Sequence, residues 1–116
     1  VKEIAKKTVI LMQEKYQCDP FDIRCAIGPS IGPCCFTFGS EATKIFPSSY
    51  CTEIEDGRFL IDIWRMNRDQ LLSQGIGEEH IDLSSLCTVC HADIFYSYRT
   101  HKEHTGRQTA VIMLRP

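Results

Sequence analysis

Apolar residues recur at helical spacing from the first position. Val1, Ile4, Ala5, Thr8, Leu11 and Met12 define one face and predict a helix over residues 1–16, ended by the turn Asp19-Pro20. The pattern is already under way at Val1, with no Met and no capping residue, and this suggests preceding sequence. Phe21, Ile23, Cys25 and Ile27 then alternate with polar or small residues, as in a half-buried strand. The stretch Gly28-Pro29-Ser30-Ile31-Gly32-Pro33-Cys34-Cys35 carries two Gly-Pro pairs. It is incompatible with helix or central strand and reads as a loop stiffened by fixed proline φ. Phe36 and Phe38 resume an extended pattern, and residues 40–46 predict a short helix with Ser40 near its N-cap.

Asp56-Gly57 predicts a hairpin between Cys51–Ile54 and Phe59–Ile61. Asp62 caps a second long helix, Ile63 to about Gln74, stopped by Gly75. Ile81, Leu83 and Leu86 suggest a further strand, and Thr109–Leu114 a final one. Between them lie the apolar-aromatic segment 95–99 and a basic, histidine-containing loop, residues 100–106. Strands alternating with helices, plus a hairpin, imply an α/β or α+β class with mixed strand directions.

At 116 residues the chain fits one domain, and its 43% apolar content can build a core. A net charge of −2, without a basic stripe, gives no reason to expect a nucleic-acid or membrane partner. No apolar run reaches the roughly 18 residues of a membrane span. No export signal is visible in the opening residues. The seven cysteines cannot all pair within one chain, and reduced thiols in a cytoplasmic setting are the expectation.

Four groups of residues could carry chemistry. Cys34 and Cys35 end the Gly-Pro loop, where a thiolate could bind a soft metal or act as a nucleophile; small buried hydrophobes beside a turn are the plainer alternative. Cys87-Thr88-Val89-Cys90-His91 matches the C-x-x-C-H pattern of haem attachment, a reaction of oxidising compartments. Cys87, Cys90, His101 and His104 approximate a structural zinc module, with both gaps shorter than a finger normally has. Arg99, Lys102 and Arg107, with Ser97 nearby, are suited to a phosphate or carboxylate, although a solvated basic loop has the same composition. No paired acid/base arrangement, G-x-S-x-G or P-loop is present.

Three segments resemble the YfiH-like family. They are Ala26–Phe36, similar to its GPSIGPCCYEV stretch; Asp62–Leu71, similar to its DLWxANxxQL helix; and Cys87-Thr88 with Phe95–Arg99 and Gly106-Arg107-Gln108, similar to CT…FFSYRR…GRQ. They follow the family's order and span nearly the whole chain. The resemblance implies a layered α/β/β/α fold with mixed sheets, of which this chain is the C-terminal portion. It implies cytoplasmic enzymes that phosphorolyse purine nucleosides, some also deaminating adenosine, with an older label of copper-dependent phenol oxidase.

It further implies a metal site of two histidines and one cysteine, usually zinc. Mapped here, the cysteine is Cys35, also the expected catalytic residue, or its neighbour Cys34. The downstream histidine falls near Tyr50-Cys51, where Cys51 stands as a possible thiolate ligand. The family's upstream HAGWRG motif is absent. Ser97, Arg99 and Arg107 are the expected substrate or phosphate contacts. Two other readings stay open: a non-catalytic half-domain that binds a partner or self-associates, and the small zinc module built on Cys87.

Overall fold

The computed structural model describes residues 2–113. Helix α1 runs Ile4–Tyr16, and Gln17 ends it in the left-handed conformation, its amide donating to Gln13 O and that of Cys18 to Met12 O. Asp19 accepts a hydrogen bond from the Phe21 amide (2.9 Å), so the segment Pro20–Asp22 is a tight helical turn. The strand expected from Phe21 onward therefore starts later, and β1 spans Cys25–Ile27. Strand β2 is Thr37–Phe38, followed by the short helix α2, Ala42–Ile45. Ser40 does not cap α2. Glu41 holds that position and makes no side-chain capping bond.

Strands β3 (Cys51–Glu53) and β4 (Phe59–Ile61) form the expected hairpin. Asp56 (φ 60°) and Gly57 (φ 65°) both lie in the left-handed region, which matches the right-handed twist of the flanking strands. Strand β2 adds antiparallel to the other side of β4, giving the order β2-β4-β3. Asp62 caps helix α3 (Ile63–Leu72) by accepting from the Arg65 amide at 2.9 Å. Gly75 turns the chain at φ 88°. Strand β5, Ile81–Leu83, then pairs parallel with β1: Cys25 lies opposite Ile81 and Ile27 opposite Leu83.

Helix α1 packs on α3, and both cover the β1–β5 pair. The shared core is Val9 from α1, Ile23, Leu71 from α3, Ile76 and Ile81 from β5. Burial of side chains of this size is the main stabilising term, each contributing about 1.5–3 kcal/mol. A second packing centre lies under the antiparallel sheet. There Ile61 and Ala42 are fully buried, and the rings of Phe36, Phe38 and Phe46 meet edge to face at 5.2–6.2 Å.

Beyond β5 the chain has little regular structure. Tyr98–His101 forms one helical turn, α4. The predicted strand over Thr109–Leu114 does not form in its described part: residues 109–113 join neither sheet, and Val111, Ile112 and Met113 are at least 80% exposed. Leu114 lies outside the described residues. β-propensity reflects packing on a pleated, half-buried surface, and here no described strand pairs with the run. Ile112 does line an apolar groove with Ala5, Val9, Met12 and Ile27, beside the free edge of β1. Among the described residues no helix is long and apolar enough to cross a membrane.

Candidate functional site: a four-thiol cluster beneath the Gly-Pro loop

The parallel pairing of β1 and β5 continues past both strands. Ser84 N–H donates to Ile27 O (3.0 Å), Ser30 N–H to Leu86 O (3.2 Å) and Thr88 N–H to Ser30 O (3.1 Å). The two segments thus leave the sheet side by side from the carboxyl ends of parallel strands, the end where α/β sheets usually place ligands. One becomes the Gly-Pro loop and the other the turn beginning at Cys87.

Gly32 is where the loop, α3 and that turn meet. A Cβ built there would stand 2.7 Å from Cη2 and 2.9 Å from Cζ2 of Trp64, and 3.2 Å from Cys87 Cβ. Only glycine fits so close an approach. The Trp64 indole is fixed by donating Nε1–H to Ser30 Oγ at 2.7 Å, and the Gly32 amide donates to Cys87 Sγ at 3.2 Å. Each of the three segments singled out in the sequence therefore contributes a side chain or backbone group to this contact.

The loop then turns on itself. The amides of Cys35 and Phe36 both donate to Gly32 O at 3.0 Å, presenting Cys34 and Cys35 toward the second segment. There His91 N–H donates to Cys87 O (3.0 Å), closing a single turn that sets Cys87 and Cys90 on one side. The Sγ atoms of Cys34, Cys35, Cys87 and Cys90 all lie within 4.8 Å of one another. Cys90 Sγ is 3.5 Å from both Cys34 Sγ and Cys35 Sγ. Cys87 is the buried floor of the group, Cys35 is half-buried, and Cys34 and Cys90 are exposed.

The four thiols are not electrostatically equivalent. Burial raises the Cys87 pKa, but the backbone amides of Cys90, Gly32 and Val89 point at its sulfur and outweigh that, bringing it down to about 6. Burial, followed by hydrogen bonding to Cys90, pushes Cys34 and Cys35 upward. Cys87 thus ionises more readily than Cys34 and Cys35.

The other sequence candidates fall elsewhere. Cys51 opens β3, and its Sγ lies 3.5 Å from Pro47 O, with burial raising its pKa. His101 and His104 line a separate cleft with Asp93, Phe95 and Tyr96, so Cys87 and Cys90 are joined by Cys34 and Cys35 rather than by these histidines. Ser97 is buried, and its carbonyl accepts from the amides of Thr100 and His101 at the start of α4. Arg99 Nη1 donates to Thr37 Oγ1 at 3.3 Å. Arg107 lines a cleft of about 220 Å³ with Tyr96, Tyr98, Thr105 and Gln108. Neither arginine has a carboxylate partner among the described residues. The pairing of the Cys34-Cys35 doublet with the Cys87/Cys90 pair escaped sequence reasoning. Its signal was that each pair follows a segment of β character, and parallel strands deliver their carboxyl ends together.

Fold and site together define a mixed α/β protein with a thiol-lined loop at the ends of two parallel strands. Residues 1–115 match the family model described as multi-copper polyphenol oxidoreductase laccase. The chain belongs to this family, as the YfiH-like resemblance implied. It is 37% identical over 116 residues to the purine nucleoside phosphorylase YlmD of Geobacillus stearothermophilus, covering 94% of this chain and 42% of that protein. It is 35% identical over 120 residues to human purine nucleoside phosphorylase LACC1, covering 97% of this chain and 28% of that one. The crystal structure of Bacillus licheniformis hypothetical protein YfiH superposes with a TM-score of 0.76 at 32% identity, over 84% of this chain and 39% of that chain. The chain thus spans less than half the length of these relatives.

Proposed function

We propose that the protein carrying this chain phosphorolyses purine nucleosides, of the adenosine or inosine type, and that this chain supplies the Gly-Pro loop and an anion-holding cleft. In the reaction a phosphate oxygen bonds to the anomeric carbon as the bond from that carbon to the base nitrogen breaks. The electron pair leaves with the base, which is then protonated. Placing the dianion beside the sugar is the main demand on the protein. The observation that carries the reading is the Arg107 cleft: a guanidinium without a carboxylate partner among the described residues, in a cleft that Tyr96 and Tyr98 also line. An arginine grips phosphate in a forked geometry, and an aromatic face stacks on a purine. That relatives of this chain are purine nucleoside phosphorylases agrees with this reading. Arg99 is proposed as a second phosphate contact, and Ser97 as the buried residue that starts the turn carrying Arg99.

A catalytic zinc site takes three protein ligands and keeps an open position, and multi-copper chemistry draws on imidazoles. The described thiol cluster contains no histidine, and Cys51 lies outside it. These residues do not fit either centre. The setting proposed is the cytoplasm, where reduced thiols persist.

The full-length protein incubated with adenosine and phosphate is expected to yield adenine and ribose 1-phosphate. Arg107→Ala is expected to raise KM for phosphate by about 10-fold or more, the loss of one charge-assisted contact worth about 1.5–3 kcal/mol. Base release at the same rate without phosphate would refute phosphorolysis.

A further inference from the structure

We propose that Tyr96 positions Arg107 for phosphate, its ring and its carbonyl holding the residues on either side of that arginine; the inference rests on the phosphate role of Arg107. A Cβ built on Gly106 would stand 2.7 Å from Tyr96 Cζ and 2.8 Å from both Cε1 and Cε2. An approach within the plane of the ring would come much nearer to Cζ than to either Cε. Near-equal distances to all three atoms therefore put Gly106 over the face of the ring. On the other side of Arg107, Gln108 Nε2–H donates to Tyr96 O at 3.2 Å. Arg107 thus sits on a short bridge whose two ends rest on one residue.

Tyr96 is itself held. The next residue, Ser97, is 5% exposed, its amide donates to His101 Nδ1 at 3.1 Å, and its carbonyl accepts from the amides of Thr100 and His101. The backbone that bears the ring is therefore fixed to the turn α4. The Gly106 carbonyl accepts from Arg107 Nη1 at 3.0 Å and from Thr105 Oγ1 at 3.3 Å, so the guanidinium takes its place from the glycine. A guanidinium has N–H groups to spare beyond this one, and they can fork onto an anion. The Gly106 backbone is not left-handed, so the Tyr96 ring is what excludes a side chain there. Normal carbon contacts begin near 3.5 Å, and an added methyl must recover about 0.7–0.8 Å. Whether the ring or the loop gives way, the contact that sets Arg107 is broken.

The test uses the full-length protein with adenosine and inorganic phosphate. Gly106→Ala should raise KM for phosphate about 3- to 10-fold, because the charged contact is misaligned rather than removed. KM for the nucleoside should not change, which a general loosening of the fold would not spare. Tyr96 is 55% exposed, so its variants should fold. Tyr96→Ala should match Gly106→Ala, and Tyr96→Phe, which keeps the ring face and the carbonyl, should behave as the wild type. In the Tyr96→Ala background, Gly106→Ala should add nothing further, since the ring it met is gone. Full additivity of those two changes would overturn the positioning role while the phosphate reading stands. So would an unchanged KM for phosphate in Tyr96→Ala when Arg107→Ala raises it. An unchanged KM for phosphate in Arg107→Ala would overturn both.

Discussion

Two glycines of one loop make opposite predictions. At Gly32 an added methyl would sit 2.7 and 2.9 Å from two carbons of the Trp64 indole and 3.2 Å from Cys87 Cβ. Normal carbon contacts begin near 3.5 Å, so about 0.3–0.8 Å must be recovered. If the indole swings away, it abandons its 2.7 Å hydrogen bond to Ser30, which contributes about 0.5–1.5 kcal/mol. If the loop retreats instead, the Gly32 amide leaves Cys87 Sγ and the thiols separate. Overpacking of this degree costs about 1–3 kcal/mol. At Gly28 nothing lies within 4 Å of the added methyl, and the backbone is not left-handed. Gly28→Ala should therefore stabilise by about 0.4–1 kcal/mol, through the less flexible unfolded chain. Thermal unfolding followed by circular dichroism should show Gly32→Ala melting several degrees lower and Gly28→Ala slightly higher. Equal shifts at the two sites, or a neutral Gly32→Ala, would refute the idea that the loop is pinned at Gly32.

Asp62→Ala removes the side-chain acceptor for the Arg65 amide and should cost about 1 kcal/mol, measured by urea unfolding. Gly75→Ala places a Cβ at φ 88° and should destabilise by about 1 kcal/mol in the same assay, although the nearest atom, Pro20 Cβ, is 3.7 Å away. Tyr50 donates to Asp69 Oδ2 at 3.0 Å, and burial with that hydrogen bond raises its pKa above the ordinary 10. The folded state thus holds the phenol proton more tightly than the unfolded state. The associated stability is present below pH 10 and is lost as pH rises through the folded value. Unfolding of the wild type should accordingly steepen above pH 10 relative to Tyr50→Phe, and parallel curves would count against the assigned cause.

What the sequence made legible was local. Helices α1 and α3 follow from periodic apolar residues, and Asp62 and Asp56-Gly57 act on amides and dihedrals a few residues away. Chemistry confined to one turn leaves its mark in adjacent letters. The thiol cluster does not, because Cys34 and Cys90 are 56 positions apart and meet only through the parallel pairing of two three-residue strands. Sequence proximity instead grouped Cys87 and Cys90 with His101 and His104, and the chain turns those histidines into a different cleft. The same reasoning explains the failed strand at 109–113. Its residues have the propensity, but a strand is a relation between two segments, and no described segment pairs with it. Gly32 stands between these cases. Its glycine was legible as a loop signal, but its necessity comes from Trp64 and Cys87, 32 and 55 positions away. Substituting Trp64 with a smaller side chain should therefore relieve Gly32→Ala. A double-mutant cycle on Gly32→Ala and Trp64→Leu should show a favourable coupling of about 1 kcal/mol or more between contacting residues. Strict additivity would mean that the indole is not what excludes the methyl group.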